Sequence, residues 1–243
     1  KFKLENFQKK FQTKIFGAEF IGHISYVNTN SSVAYYGLFP CLVELNGQRI
    51  LAATAADGMT HSAHRKKGLF AELLKRTHAL AKENGIKFIY GFPNQHSYKG
   101  LLNSGWEFHN GHLKLYTLKI PTIPLAKLKK KFGISEKESV LNLHFTNSLK
   151  ADGQGSVVHD ADYFNYKMYS TTNIQVIAGS RVWMKQIGIL KIGDVERINE
   201  FKMKEFLAEL KSFARWKGIS EIQFMVSNNT WLDKELSSYL KGM

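Results

Sequence analysis

Apolar and polar residues alternate at the spacing of β-strands over much of the first sixty positions. Residues 20–27 and 33–45 each predict a strand with β-branched and aromatic side chains. Asn46-Gly47 follows directly, and it predicts a hairpin turn because both residues tolerate positive φ. A third strand over 49–59 then completes an antiparallel set.

The apolar spacing changes to that of a helix after Gly68. Apolar residues recur every three or four positions from there to Asn84, and Gly85 stands where a C-terminal helix glycine belongs. Three shorter elements are predicted to follow: a strand over 86–92, a helix over 97–103 and a strand over 113–120.

The C-terminal part of the chain repeats this rhythm. Phe206-Leu207 precedes Gly218-Ile219 by the same helix length that separates Leu73-Leu74 from Gly85-Ile86. An extended run over 186–192 comes before this second helix. The pattern predicts a duplicated unit of strand, helix, strand and helix, and a generic α/β repetition is the alternative.

Composition places the 243-residue chain among folded globular proteins, since 44% of its residues are hydrophobic. Its single cysteine, Cys41, excludes an intrachain disulfide and a multi-cysteine zinc cluster, and it suits a reducing, cytoplasmic location. No apolar run reaches the roughly 18 residues of a membrane span. The net charge of +14 favours anionic partners: a phosphate-bearing cofactor, a nucleotide-linked substrate, nucleic acid or an acidic membrane surface.

A basic loop joins the third predicted strand to the long helix and narrows these possibilities. Arg65-Lys66-Lys67-Gly68 stands where a helix N-terminus offers unpaired N–H groups and partial positive charge. Gly68 has no Cβ to keep a phosphate from the backbone. The loop therefore predicts an anion site, and a pyrophosphate suits it; the alternative is a merely charged turn. The P-loop and three-glycine dinucleotide patterns are absent.

The same loop resembles the signature of a known family. Arg65-x-x-Gly68-x-Phe70 is similar to the Arg/Gln-x-x-Gly-x-Gly/Ala motif of the GNAT superfamily of acyl-CoA N-acyltransferases. Phe70 replaces the small residue, as in a subgroup that reads Thr-His-Pro-x-Tyr-Arg-x-x-Gly-x-Phe. Thr60-His61 is in register with that subgroup, whereas Ser62 takes the proline position and His64 the tyrosine position.

The resemblance is strong over residues 20–120 and faint over 158–243. It implies an α/β (α+β) fold with a mixed, largely antiparallel sheet flanked by helices, in two tandem GNAT-like units. The expected domains are an acyl-CoA-binding domain over 1–120, a connecting segment over 121–157 and a degenerate second unit over 158–243. The second unit has no glycine between Asp194 and Lys217, so it is expected to lack a pyrophosphate loop.

The resemblance also implies which residues bind acetyl-CoA. The family holds the pyrophosphate on loop amides and the pantetheine arm on strand and helix residues downstream. Carried over to matching positions, the cofactor-binding set is Met59, Thr60, Arg65, Lys66, Lys67, Gly68, Leu69, Phe70, Asn94 and Ser97.

Candidate acid and base residues are less well specified. Many relatives place a tyrosine four residues before the Gly-Trp pair, where this chain has Leu101; Tyr98 is the substitute one turn earlier. Asp57 and His61 are candidate bases on or beside the central strand, and His96 is a third at the start of the next helix. A base acting through water is an alternative. His109 and His112 straddle a turn without a third ligand, so no metal site is predicted.

These implications give an N-acetyltransferase acting on a small-molecule amine. The subgroup often occurs with polysaccharide biosynthesis, which suggests an amino sugar, and the positive charge suits a nucleotide-linked one. The alternatives are an inactive binding module that holds coenzyme A or a sugar, and a nucleic-acid-binding protein. The last is disfavoured because no recognition motif occurs and the aromatics do not interleave with the lysines. The oligomeric state, monomer or homodimer, stays open.

Overall fold

The computed structural model describes residues 4–108, 113–121, 155–170, 172–198 and 201–241. The chain divides into two compact units, Lys1–Asn110 and Gly111–Met243. Each unit has a sheet and its own hydrophobic core. In the parts of the chain given above, no helix combines the length and apolar character needed to cross a membrane.

The first unit is built on a mixed sheet with strand order β1-β2-β3-β4. Strands β1 to β3 run antiparallel, and β4 runs parallel to β3. Its elements are α1 (Leu4–Lys9), a 3-10 turn (Lys14–Phe16), β1 (Ile21–Asn28), β2 (Ser31–Leu45), β3 (Gln48–Thr60), a second 3-10 turn (Ser62–His64), α2 (Leu69–Glu83), β4 (Phe88–Gly91) and α3 (Tyr98–Leu102).

The predicted hairpin between β2 and β3 is confirmed. Asn46 and Gly47 have φ of 50° and 76°, the left-handed conformation that a two-residue hairpin turn needs. Leu45 pairs with Gln48 on either side of the turn, which fixes the register of the longest strand pair in this unit.

The two faces of β2 have different surroundings. Tyr36 and Leu38 are buried in the core cluster that also contains Leu73 and Leu74 of α2. Successive side chains of a strand point to opposite faces, so the alternate residues of β2, Phe39 among them, lie on the face away from α2. The helix therefore covers one side of the sheet, and Phe11 and Phe20 pack on Phe39 on the other side.

The second unit has a sheet with strand order β5-β10-β9-β8-β7. Strands β9 and β10 are parallel, and the other neighbouring pairs are antiparallel. Its elements are β5 (Leu113–Lys119), β6 (Ser156–Val157), α4 (Ala161–Lys167), β7 (Thr172–Ile177), β8 (Ser180–Ile187), β9 (Ile189–Val195), α5 (Met203–Trp216), β10 (Glu221–Ser227) and α6 (Trp231–Lys241).

The expected fold class and its repetition are confirmed. Each unit has three antiparallel strands, a helix, a strand parallel to the third and a second helix. The extended run predicted over 186–192 is in fact two strands, since β8 ends at Ile187 and β9 begins at Ile189. Gly188 turns the chain between them with φ of 74°. Because apolar residues flank that glycine on both sides, the sequence pattern resembles one continuous strand and does not indicate the turn.

Strand β5 belongs to the second sheet, although its position in the sequence places it at the end of the predicted 1–120 domain. It pairs antiparallel with β10 from Leu113–Ser227 to Lys119–Glu221. The alternation of apolar and polar residues in a strand indicates which face is buried but not which strand lies next to it. The pairing of β5 with β10 could therefore not be predicted from the local sequence. Most of the predicted connecting segment, residues 122–154, lies outside the described residues.

Candidate active site

The predicted anion loop lies at the mouth of α2. Strand β3 ends at Thr60, one 3-10 turn follows, and the loop 65–68 leads directly into Leu69. All four loop residues are exposed. Lys66 and Gly68 both have positive φ, 60° and 76°. The loop is thus an exposed, tightly turned entry to a helix.

The first turn of α2 leaves its amides directed at solvent. The first helical hydrogen bond runs from the Glu72 amide to the Gly68 carbonyl, at 3.1 Å. The amides of residues 69–71 precede it and have no acceptor within the helix. Gly68 is the N-cap and provides no side-chain cap. A methyl group at Gly68 would meet no atom within 4 Å, so the space beside this N-cap residue is open. A diphosphate fits this mouth on both chemistry and access.

Arg65 is tied back to the end of the preceding strand. Its Nε donates to the Thr60 carbonyl oxygen at 3.2 Å. This bond links two predicted cofactor-binding positions and fixes the start of the guanidinium. Lys66 and Lys67 follow as exposed cations. The arrangement adds positive charge to that of the helix terminus.

Phe70 leaves the loop and packs beneath it. Its ring meets Tyr36 edge-to-face with 5.8 Å between ring centres. A methyl group at Gly58 would approach the Phe70 ring to 3.2 Å, and one at Gly100 to 3.4 Å. The large side chain at the family's small position is therefore accommodated by two glycines, one on β3 and one on α3.

Strands β3 and β4 part beside the loop. Their parallel pairing runs from Ala52–Phe88 to Ala55–Gly91 and stops there. β3 continues to Thr60, paired only with β2 among the strands of the described chain. Its register with β2 shifts between Tyr35 and Gly37, a bulge opposite which Asp57 has φ of 60°. Beyond this point the backbone N–H and C=O groups on that edge of β3 can pair with an extended ligand.

Asp57 lies at this bulge, two residues beyond the last β3–β4 pair. Its carboxylate accepts a hydrogen bond from the Lys10 ammonium and forms an ion pair with it. Burial, together with the negative charge of Asp57, raises the pKa of the Tyr35 hydroxyl to about 12. Tyr35, Asp57 and Lys10 thus form one charged cluster. Lys10 has no counterpart in the sequence prediction, because its partner is 47 residues away.

His61 is used to shape the chain. Its amide donates to the Val33 carbonyl oxygen at 2.8 Å, and its ring Nδ1 accepts from the Ala63 amide at 3.3 Å. The Nδ1 lone pair is therefore engaged, and the neutral ring carries its proton on Nε2. A base needs a free lone pair, so this geometry disfavours His61 relative to Asp57.

The segment before α3 is ordered by Asn94. Its Oδ1 accepts from the amides of His96 and Ser97, at 2.9 and 3.1 Å. The carboxamide oxygen thus caps the turn and leaves the NH₂ group for a ligand. Tyr98 is exposed and meets Phe108 edge-to-face, whereas Leu101, at the position of the family's tyrosine, is buried.

The helix mouth of the second unit is different. Lys202 is the N-cap of α5 and provides no side-chain cap. Upstream, Glu196 is held by Arg181, whose Nε donates to Oε2 at 2.8 Å. Phe201 packs edge-to-face on Trp231 with 4.7 Å between ring centres. Lys202 thus stands at the position that Gly68 has in the first unit, and a packed aromatic side chain precedes it.

The second unit also contains a buried histidine–carboxylate pair. His159 Nδ1 lies 2.6 Å from Asp194 Oδ2, and both side chains are almost fully buried. Tyr163, Phe164 and Trp183 surround the imidazole. The pair joins the segment before α4 to β9 and has little access to a substrate. His109 and His112 lie outside the described residues, and among the described residues no group of three ligating side chains could hold a metal ion.

Comparisons with known proteins bear on the fold of the chain and on the family pattern of its first unit. Residues 9–109 match the family model described as an acetyltransferase (GNAT) domain. A probable N-acyltransferase structure from Enterococcus faecalis V583 is similar to 92% of this chain, with 14% identity and a TM-score of 0.58. A GCN5-related N-acetyltransferase from Kribbella flavida is similar to 84%, with 16% identity and a TM-score of 0.52.

The chain spans a little over half of those two proteins, 57% and 52% of their lengths. At these identities the likeness shows the fold. No curated protein matches the chain in sequence. The finer subgroup inferred from the Thr60-His61 register stays a prediction. The chain has the fold seen in the GNAT N-acetyltransferases, and the match to the GNAT acetyltransferase family model covers its residues 9–109.

Proposed function

We propose that the first unit transfers an acetyl group from acetyl-CoA directly to a primary amine of a small acceptor. The observation that carries this proposal is the open helix mouth at Gly68, flanked by three cations and facing solvent. The match of residues 9–109 to a GNAT acetyltransferase domain supports it.

Each predicted cofactor residue has a role in this proposal. The amides at the start of α2 and the cations of 65–67 would hold the pyrophosphate. The open edge of β3 at Met59 and Thr60 would pair with the pantetheine arm, and the Asn94 NH₂ group and Ser97 would contact it further along. Acetyl-CoA supplies the activated acyl group as a thioester. Cys41 is buried with its Sγ 3.4 Å from the Tyr90 hydroxyl, so it is unsuited to act as a nucleophile.

Asp57 is our proposed base and Tyr98 our proposed acid. The carboxylate of Asp57 is 45% exposed and already holds a primary amine, which is the group a base must receive here. The Tyr98 side chain is exposed at the start of α3. It lies two residues before Gly100, the glycine that is next to the Phe70 ring. His61 is the weaker alternative base because its Nδ1 is engaged.

The acceptor class follows from charge. We propose an amino sugar, including its nucleotide-linked forms, because a net charge of +14 attracts a phosphorylated substrate. A cytoplasmic location and a link to polysaccharide biosynthesis belong to the same proposal. The single buried cysteine is compatible with a reducing compartment.

Two glycines of the same helix test the cofactor site. Gly68 and Gly85 flank α2, have φ of 76° and 79°, and would each accept a side chain without an atom within 4 Å. At one hundred times Kd, acetyl-CoA should stabilise the wild type by about 2.7 kcal/mol, roughly 5–10 °C in Tm. Gly68→Glu should abolish this shift because its carboxylate occupies the anion site. Gly85→Glu carries the same backbone strain at the other helix end and should keep the shift. Equal shifts in both variants would place the anion site elsewhere.

A second candidate is a module that binds coenzyme A without turnover. The buried Leu101 at the family's tyrosine position favours it. The two candidates differ in thiol release: an enzyme liberates free coenzyme A when an amine panel is added, and a binding module gives the Tm shift alone. Amino sugars and their nucleotide-linked forms should head that panel, with an uncharged amine of similar size as the control.

A further inference from the structure

Lys10 is held in a defined place on the first unit. It lies one residue beyond α1, and its ammonium donates to Asp57 Oδ2. The same ammonium lies 4.8 Å from the centre of the Phe39 ring. The Lys10 side chain is 23% exposed, whereas Lys14, four residues on, is 84% exposed. An ordinary surface lysine would extend into water, so these contacts fix the position of one primary amine.

This amine lies on the sheet face away from α2. Phe39 is on the face of β2 away from α2, and Asp57 acts on Tyr35 of that same strand face. Asp57 itself follows the point where β3 and β4 part. In the proposed function Asp57 receives the proton of an acceptor amine. The protein's own amine is therefore held by the carboxylate that, in the proposed function, would act on the acceptor's amine.

We propose that Lys10 is a self-acylation site, modified within one molecule when no other acceptor is bound. This inference rests on the proposed function. The Lys10 ammonium gives one proton to Asp57, and the second, lost from nitrogen as the amide forms, protonates the departing thiolate. A C–N bond forms between Nζ and the acyl carbon, the thioester C–S bond breaks, and coenzyme A leaves with the sulfur's electron pair. The sum is one acyl-lysine, one coenzyme A thiol and one proton.

Acylation changes the site that carries it out. The product is a neutral amide, which has no positive charge to pair with the Asp57 carboxylate. The ion pair at the bulge is lost, and one acyl group is the most that Lys10 accepts. The modification is thus stoichiometric, at one group per chain at this residue.

Neighbouring lysines provide the internal control. Lys9 and Lys14 are exposed and lie within four residues of Lys10. Chemical acylation in solution follows exposure, so an acetylating reagent without coenzyme A should label Lys9 and Lys14 before Lys10. Acylation directed by the site should reverse this order. The ratio between residues is therefore informative without any acceptor substrate.

The experiment uses the full chain, acetyl-CoA and peptide mass spectrometry. Lys10 should be labelled faster than Lys9 and Lys14 with acetyl-CoA, at a rate independent of protein concentration, and slower than both with N-acetoxysuccinimide. Asp57→Asn should reduce Lys10 labelling roughly a hundredfold, the range of a lost general base. Asparagine tolerates the positive φ at this position, so the backbone is preserved. Gly68→Glu should abolish the preference, and Gly85→Glu should keep it.

Two results separate this inference from the proposed function. If acetyl-CoA raises the Tm but Lys10 is labelled no faster than Lys9 and Lys14, self-acylation is overturned and the acetyltransferase proposal stands. If acetyl-CoA gives neither a Tm shift nor Lys10 labelling, both are overturned. A labelling rate that rises with protein concentration would show transfer between molecules and would overturn the intramolecular step.

Discussion

Phe70 is larger than the residue usual at its position in the motif, and the missing side chains of Gly58 and Gly100 make room for it. Phe70 fills the volume that side chains at Gly58 and Gly100 would occupy, and its ring rests on Tyr36. The ring thereby joins α2, β3 and α3 directly below the anion loop. The identity of residue 70 sets the packing of the site's floor while the loop amides remain accessible above it.

We expect Gly58→Ala to destabilise the first unit by about 1–3 kcal/mol, the usual cost of overpacking. The added methyl meets the Phe70 ring at 3.2 Å, and the backbone at Gly58 is compatible with alanine. Phe70→Leu should restore part of this loss, since the double mutant removes the crowded ring edge. Urea unfolding of the four proteins in the cycle measures the coupling. Additive effects would show that the two residues do not compete for space.

The same residues show what sequence could predict at this scale. The loop from Arg65 to Phe70 was predictable because its chemistry is local: six consecutive residues specify the turn, the cations and the helix start. The Lys10–Asp57 pair was not, because only the folded sheet brings positions 47 residues apart together. The helix α1 ahead of Lys10 was not predicted either, and the Phe7 and Phe11 rings that meet beside it are 5.0 Å apart.

At the scale of elements, β5 is attached to the second unit through the start of α6. The Thr230 hydroxyl accepts from the Asp233 amide, and Asp233 accepts from the Asn229 amide, a reciprocal cap of the helix. Lys114 and Tyr116 of β5 donate to the same carboxylate at 3.0 and 2.7 Å. One buried carboxylate thus caps a helix and anchors a strand. Elements were predictable from their periodicity, but this attachment depends on side chains more than a hundred residues apart.

The Asp233 cluster predicts a pH dependence. Burial alone would raise the pKa of Asp233, but the hydrogen bonds from Tyr116, Lys114 and the Asn229 amide outweigh it and hold that pKa below its ordinary value. The folded pKa is below the unfolded one, so this stabilisation is present above about pH 4 and is lost as the pH falls through the folded value. Asp233→Asn should lower the free energy of unfolding at pH 6 by about 1–3 kcal/mol. Between pH 6 and pH 3 the free energy of unfolding should fall less in this variant than in the wild type. Equal losses for both proteins in urea titrations would contradict this.

At the scale of the whole molecule, one architecture occurs twice with different helix mouths. Both α2 and α5 follow a third strand, and both begin with a helical bond to an N-cap that gives no side-chain cap: Glu72 to Gly68 and Phe206 to Lys202. The backbone therefore offers unpaired amides in each unit. What differs is the N-cap and the residue before it: an open glycine after a lysine in the first unit, and Lys202 after a packed phenylalanine in the second. Comparing the two units therefore separates what the fold contributes to anion binding from what the loop before the helix contributes.

This contrast gives a prediction that each molecule tests against itself. Without ligand, the amides at residues 69–71 and 203–205 should both exchange rapidly, because neither set has a helical acceptor. Coenzyme A should slow exchange in 69–71 and leave 203–205 unchanged, as measured by hydrogen exchange with mass spectrometry. Pantetheine, which has no diphosphate, should leave 69–71 unprotected, and Gly68→Glu should remove the effect of coenzyme A. Protection of both helix starts would mean that a bare helix terminus suffices for binding. Protection of neither would mean that the amides of α2 do not hold the diphosphate.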